Sequence, residues 1–288
     1  ARWIERFHVG GLELFFTDVY SAAHLLNRLQ AISGLPLLVG SDAETGMAHR
    51  VAGATHLTHN MGLGASGSER MAYLQGKITA LEGIAVGVHL CEGPTVDVNV
   101  NPENPIIAVR SFGDNPEFVS RMGAAFVRGL QDHGMIACPK HFPGHGNTNV
   151  DSHMDMPVIH VPRETLDQVD LPPFRAAFEV GAMSVMTAHI RVPALDPETE
   201  YPATLSRPVN TGLLREEMGF QGLIITDCMR MDGITKYFPP GEAELQSFLA
   251  GSDIILGPFL EEAYAAMVRA AETGRLPMER LDESVRRI

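Results

Sequence analysis

Cysteine is scarce in this chain: Cys91, Cys138 and Cys228 are the only three in 288 residues. They are odd in number, widely spaced and form no Cys-x-x-Cys pair. Neither a disulfide framework nor a zinc knuckle is indicated, and three buried thiols are expected. Basic charge is also short, with 22 Lys and Arg against 35 Asp and Glu and a net charge of −13. An acidic surface repels phosphate backbones and anionic lipid, so no nucleic-acid or membrane-surface partner is expected. No apolar run reaches the roughly 18 residues that a membrane-spanning helix needs. No Gly-x-Gly-x-x-Gly or Walker loop follows any apolar run, which removes the usual nucleotide cradles. There is no initiator Met, and Ala1-Arg2-Trp3-Ile4 reads as the middle of an amphipathic helix, so a signal peptide or a further strand is expected ahead of it. The compartment stays open.

What is present is an ordinary globular composition, 45% hydrophobic and 20% charged. Seven short apolar runs recur: 10–16 (GGLELFF), 36–42 (PLLVGSD), 84–90 (IAVGVHL), 135–141 (MIACPKH), 184–190 (SVMTAHI), 222–227 (GLIITD) and 253–256 (DIIL). Helix-like segments lie between them, notably 115–134, 164–181 and 206–219. Strands apolar on both faces, alternating with helices, indicate an α/β fold with a parallel sheet. Asp42, His141, His189 and Asp227 each stand at or just past the C-terminal end of a different run. A closed barrel brings such residues to one pocket, whereas an open doubly wound sheet gathers them at a single switch point. The expected architecture is therefore one (β/α)8 TIM-type barrel spanning residues 1–288, with its eighth strand lying before Ala1.

The densest polar cluster runs from Lys140 to His153 and contains Lys140, His141, His145, Asp151 and His153 among Pro143, Gly144 and Gly146. Such a loop after a barrel strand is a functional candidate; a glycine-rich turn with solvated histidines is the bland alternative. Asp151 and His153 are two apart, so in extended chain they project to one side. A carboxylate beside an imidazole fixes its tautomer and suits it to general acid/base work. Asp227, followed by Cys228-Met229-Arg230, can act as nucleophile, base or metal ligand, or can merely cap a helix. Asp42, Glu44, Arg110 and Lys140 can grip sugar hydroxyls through charge-assisted bonds, or form surface ion pairs. On residue types alone, a metal-dependent hydrolase using His141, His145, His189 and Asp227 competes, although no His-x-His pair is present. A non-catalytic sugar-binding barrel would need neither Asp227 nor His153.

Taken together, Pro36–Asp42, Asn99–Pro105 (NVNPENP), Val109–Gly113 (VRSFG), Lys140–Gly146 (KHFPGHG), Asp151-Ser152-His153, Met186–His189 (MTAH), Leu214–Asp227 and Ala250–Asp253 (AGSD) resemble glycoside hydrolase family 3, specifically its β-N-acetylglucosaminidase branch. The similar stretches run through nearly the whole chain. The resemblance implies a retaining exo-hydrolase acting on terminal β-linked N-acetylglucosamine, as in peptidoglycan or chitin fragments, with no metal or other cofactor. It implies Asp227 as nucleophile, His153 as acid/base with Asp151 orienting it, and Asp42, Arg110, Lys140 and His141 as binders of the terminal sugar. Within the family, a β-glucosidase or a phosphorylase is the alternative. Asp42-Ala43-Glu44-Thr45-Gly46 departs from the usual Asp-Gln-Glu-Gly-Gly, and Asp227-Cys228-Met229 from the frequent Asp-Asp-Leu.

Overall fold

The computed structural model describes residues 1–288. Its strands lie side by side in chain order, all parallel. β1 (Gly11–Glu13) pairs with β2 (Leu38–Ser41), β2 with β3 (Leu90–Cys91), and β3 with β4 (Ile136–Ala137). β5 (Ser184–Thr187) pairs with β6 (Leu223–Thr226) through the whole of both strands. Single bridges continue the pattern: Phe142 to Thr187 joins the chain after β4 to β5, and Ile225 to Ile254 adds a seventh segment beside β6. Parallel neighbours need long crossovers, and helices supply them.

Each expected run thus contains a strand or bridge, but the boundaries move. Residues 84–86 of the third run belong to the helix Glu69–Val86, which ends at Gly87 with φ 94°. That left-handed cap stops the helix, so the strand shrinks to Leu90–Cys91. The dipeptides Thr17–Asp18 and Val51–Ala52 form a further small parallel pair outside the main sheet.

The barrel expectation is met only in part. Seven segments follow one another in parallel, yet no backbone hydrogen bond joins residues 253–258 to residues 10–14. Between these two edges runs a groove of about 620 Å³, lined among others by Trp3, Phe7, Leu12, Ile254, Leu256 and Ile288. The observed fold is a parallel α/β layer order with an open seam; its hydrogen bonds close no ring.

Helix packing fixes the rest. Asn115 caps the helix Pro116–Gln131 by accepting from the Phe118 amide at 2.8 Å, and Pro116 at the first position is preset for it. This helix lies against Glu69–Val86 at backbone distance. A Cβ on Gly129 would stand 2.1 Å from the Tyr73 carbonyl oxygen, and one on Gly76 2.4 Å from that of Phe126. The segments 164–181 and 206–219 are helical too, with π-wound turns over Leu166–Asp170 and Pro208–Glu217. Beneath the helices a continuous core includes Val39, Met122, Phe126, Phe142, Phe174, Val185 and Ile224. Each such large side chain contributes roughly 1.5–3 kcal/mol of burial. Cys91 and Cys138 are buried thiols and Cys228 is half-buried; none is in a disulfide. With the strands held this way, the residues that follow them gather at one end.

Candidate active site

The cationic centre of that end is Lys140, just past β4 and fully enclosed. Its Nζ donates to Asp42 Oδ1 at 2.7 Å and lies 2.8 Å from Glu44 Oε1. Asp42, immediately after β2, takes Arg50 on its other oxygen at 2.6 Å. Glu44 is gripped by Arg110, whose Nη2 stands 2.6 Å from Oε1 and whose Nε stands 2.9 Å from Oε2. Burial opposes charge on Glu44, but Lys140 and Arg110 outweigh it and hold the carboxyl well below the usual carboxylate range. Burial likewise opposes the Lys140 charge, and Asp42 and Glu44 overcome it, raising the ammonium's pKa. Asp42, Glu44, Lys140 and Arg110 thus form one charged network, not separate surface pairs.

His141 joins the network edgewise. Arg110 Nη2 donates to His141 Nε2 at 3.2 Å, so the ring carries its proton on Nδ1, which faces Asp97 Oδ2 at 2.7 Å. Asp97 is buried and also accepts the backbone amides of His141 and, at 2.6 Å, His145. Its burial would raise its pKa, yet His141 and His145 bring it down. Sequence reading passed over Asp97; its only signal was a carboxylate between Val96 and Val98 in an otherwise apolar stretch.

Asp151 and His153 form the expected pair. His153 Nδ1 lies 2.8 Å from Asp151 Oδ1, which also accepts the His153 amide at 2.9 Å. The His153 ring is half exposed, with the side chain 54% accessible. Two backbone bonds tie this loop to the chain beyond β6: Gly233 N–H to Ser152 O at 3.2 Å, and Asp232 N–H to His153 O at 3.4 Å.

Asp227 follows directly after β6, where its amide donates to Thr187 O at 3.0 Å and its Oδ1 accepts the Cys228 amide at 2.7 Å. It makes no hydrogen bond to the lysine network or to His153. Burial pushes its pKa up, but His189, His141, the Cys228 amide and Lys140 together bring it below the ordinary value. His189 is buried and donates from Nε2 to the Cys228 carbonyl at 3.0 Å, fixing the peptide next to Asp227. Two further carboxylates went unforeseen. Glu13 on β1 is pushed up to about 7 by burial and by Asp42, and burial with Glu13 holds Glu92 well above the usual range. Their signal was acid inside, or directly after, an apolar run.

The metal-site alternative finds no matching geometry. Both ring nitrogens of His141, His145 and His189 already face protein hydrogen-bond partners. No three of the His, Cys, Asp and Glu side chains stand together as ligands.

Comparison with known proteins settles the family. The model of the glycosyl hydrolase family 3 N terminal domain matches residues 1–288. The chain belongs to glycosyl hydrolase family 3. It is 36% identical over 318 aligned residues to beta-hexosaminidase A of Pseudoalteromonas piscicida, covering 99% of this chain and 53% of that protein. The solved glycoside hydrolase family 3 beta-N-acetylglucosaminidase from Paenibacillus sp. str. FPU-7 superposes with a TM-score of 0.96 at 42% identity, covering 99% of this chain and 56% of that one. A beta-glucoside phosphorylase superposes at 0.92 with 33% identity, covering 96% and 52%. The chain spans about half the length of curated relatives it matches, such as the Pseudoalteromonas piscicida protein.

Proposed function

We propose that residues 1–288 are a single catalytic domain of the TIM-barrel type. The protein containing them is a retaining, exo-acting β-N-acetylglucosaminidase. One observation carries the reading: a carboxylate kept ionised at the end of β6, next to a loop that presents a His–Asp pair to solvent.

In the first step Asp227 attacks the anomeric carbon as the glycosidic bond breaks, and His153 gives its proton to the departing oxygen. In the second, His153 takes a proton from water, and the hydroxide displaces Asp227 from the sugar. Two inversions retain the configuration. Asp151 orients His153 through the 2.8 Å contact to Nδ1. This differs from the usual carboxylate pair, but an imidazole nitrogen can both give and take a proton and so serves both directions of transfer. Asp42, Arg110, Lys140 and His141 bind the hydroxyls of the terminal sugar, His141 by exchanging the long 3.2 Å contact from Arg110 at Nε2 for a hydroxyl while Asp97 keeps Nδ1. Lys140 and Arg110 already hold carboxylates, so their remaining donors stand in fixed directions before any sugar arrives. Likeness to a hexosaminidase and an N-acetylglucosaminidase supports the choice of sugar.

A second reading, phosphorolysis, is favoured by likeness to a beta-glucoside phosphorylase. A neutral imidazole does not repel an anionic acceptor as a carboxylate would. A panel of aryl β-glycosides assayed with and without inorganic phosphate tests both. Hydrolysis of the N-acetylglucosaminide, unchanged by phosphate, is expected; a sugar 1-phosphate product would transfer the assignment to phosphorolysis, and preference for the glucoside would overturn the sugar.

A further inference from the structure

His145 has no part in the chemistry above, yet it is buried, and both of its ring nitrogens are engaged. The proton directions around it can be worked out from its neighbours. Asn104 Oδ1 accepts the amides of Ile106 and Ile107, so its Nδ2 is the group facing His145 O at 2.8 Å and Thr148 Oγ1 at 3.3 Å. Thr148 Oγ1 has one proton and two acceptors in reach, His145 O at 3.0 Å and His145 Nδ1 at 2.6 Å, so it does not by itself orient the ring. Ser152 Oγ does fix it: it is buried and has no hydrogen-bond partner other than His145 Nε2, so its proton goes there and the ring proton sits on Nδ1, facing Thr148 Oγ1. Burial, with His141 adding to it, lowers the ring's pKa to about 4, so Nε2 is bare at neutral pH. Ser152 Oγ lies 3.0 Å from that bare nitrogen and is buried, so the serine hydroxyl donates to it.

Ser152 is the residue between Asp151 and His153. Its side chain is held by His145, and its carbonyl by the Gly233 amide at 3.2 Å. His145 is itself fixed through its backbone amide to Asp97, which also holds His141. A continuous series of hydrogen bonds thus connects the sugar-binding residues to the loop that carries Asp151 and His153.

We propose that His145 is a positioning residue for the proton-transfer step, fixing the Asp151–His153 pair by accepting the Ser152 hydroxyl at Nε2. The proposal rests on His153 being the acid/base. In an acid-assisted reaction a misplaced imidazole harms only substrates whose leaving group needs a proton.

The test is kcat/KM, which reports the bond-breaking step, for a series of aryl and alkyl β-N-acetylglucosaminides in the wild type, His145→Ala, Ser152→Ala, His145→Gln and His153→Ala. For poor leaving groups, His145→Ala and Ser152→Ala are expected to lose about a hundredfold, the scale of an ångström-level misplacement. For the 2,4-dinitrophenyl glycoside they should lose little. Ser152→Ala keeps the histidine and its packing, so it answers the question if His145→Ala does not fold. His145→Gln can still accept from Ser152 through Oε1 and should recover most of the loss. Equal losses on all leaving groups, no loss, or no recovery with glutamine would overturn the proposal. If His153→Ala shows the leaving-group dependence and the other variants do not, the positioning role alone fails. If His153→Ala lacks it, the acid/base assignment falls and the positioning role with it.

Discussion

Asp97 and His141 stand 2.7 Å apart in a fully buried contact, and the same carboxylate also receives the amides of His141 and His145. Every bond it makes is as an acceptor. Asparagine has one acceptor oxygen and a donor amide that would face another donor. Asp97→Asn is therefore expected to cost about 1–3 kcal/mol of stability and to raise KM as His141 and Arg110 lose their set orientation. Thermal melting and steady-state kinetics on an aryl N-acetylglucosaminide check this; unchanged values in both would count against it.

Lys140 answers two buried carboxylates at once, and its loss leaves both uncompensated. Lys140→Met should destabilise the fold by about 3–5 kcal/mol, and Lys140→Met with Glu44→Gln should recover part of that. The pH dependence has a definite sign. Glu44 has a depressed folded pKa, so its contribution is present above its unfolded value, near 4.3, and fades as pH falls through the folded one. Lys140 has a raised folded pKa, so its contribution is present below about 10.4 and fades only as pH rises past the folded value. Denaturant midpoints measured from acid to alkaline pH should show the network intact across the neutral range, and a strictly additive double variant would refute the coupling.

Asp170 works the other way. It is buried with Oδ1 unpartnered, and burial followed by repulsion from Asp97 pushes its pKa up to about 7. The folded state then binds more protons than the unfolded one between the unfolded value near 3.9 and about 7, so stability falls as pH rises through that window. Asp170→Asn removes the titration at nearly constant shape. It should raise stability at pH 8 relative to wild type, by at most about 4 kcal/mol, and leave it similar at pH 4. Parallel pH profiles for the two proteins would contradict this.

Much of this was legible in the residues themselves. The seven apolar runs gave the strands, and the polar residues just after them gave Asp42, His141, His189 and Asp227 at one end. The Asp151–His153 contact was expected from extended chain, but the segment is a turn: Met154 N–H reaches Asp151 O at 2.9 Å and Asp151 Oδ1 accepts the His153 amide, and this turn brings the pair together. Pairings between distant residues carry no such local signal. Nothing near Glu44 in sequence says that Arg110 and Lys140 will clamp it, and nothing near Asp97 announces His141 and His145. The open seam between residues 253–258 and β1 was likewise invisible, since apolar patterning shows that a strand exists and not whether its edge is paired. The Ile84–Val86 boundary was misplaced because a helix ending at a left-handed glycine and a strand beginning after it share one apolar run.

The central claim is that Asp227 forms the bond to the sugar. A fluorinated N-acetylglucosaminyl probe that slows release of the glycosyl-enzyme, followed by proteolysis and mass spectrometry, tests it most directly. The account predicts one adduct per chain, on Asp227, and none in Asp227→Asn. An adduct on any other residue, or an active enzyme that accumulates none, would contradict it.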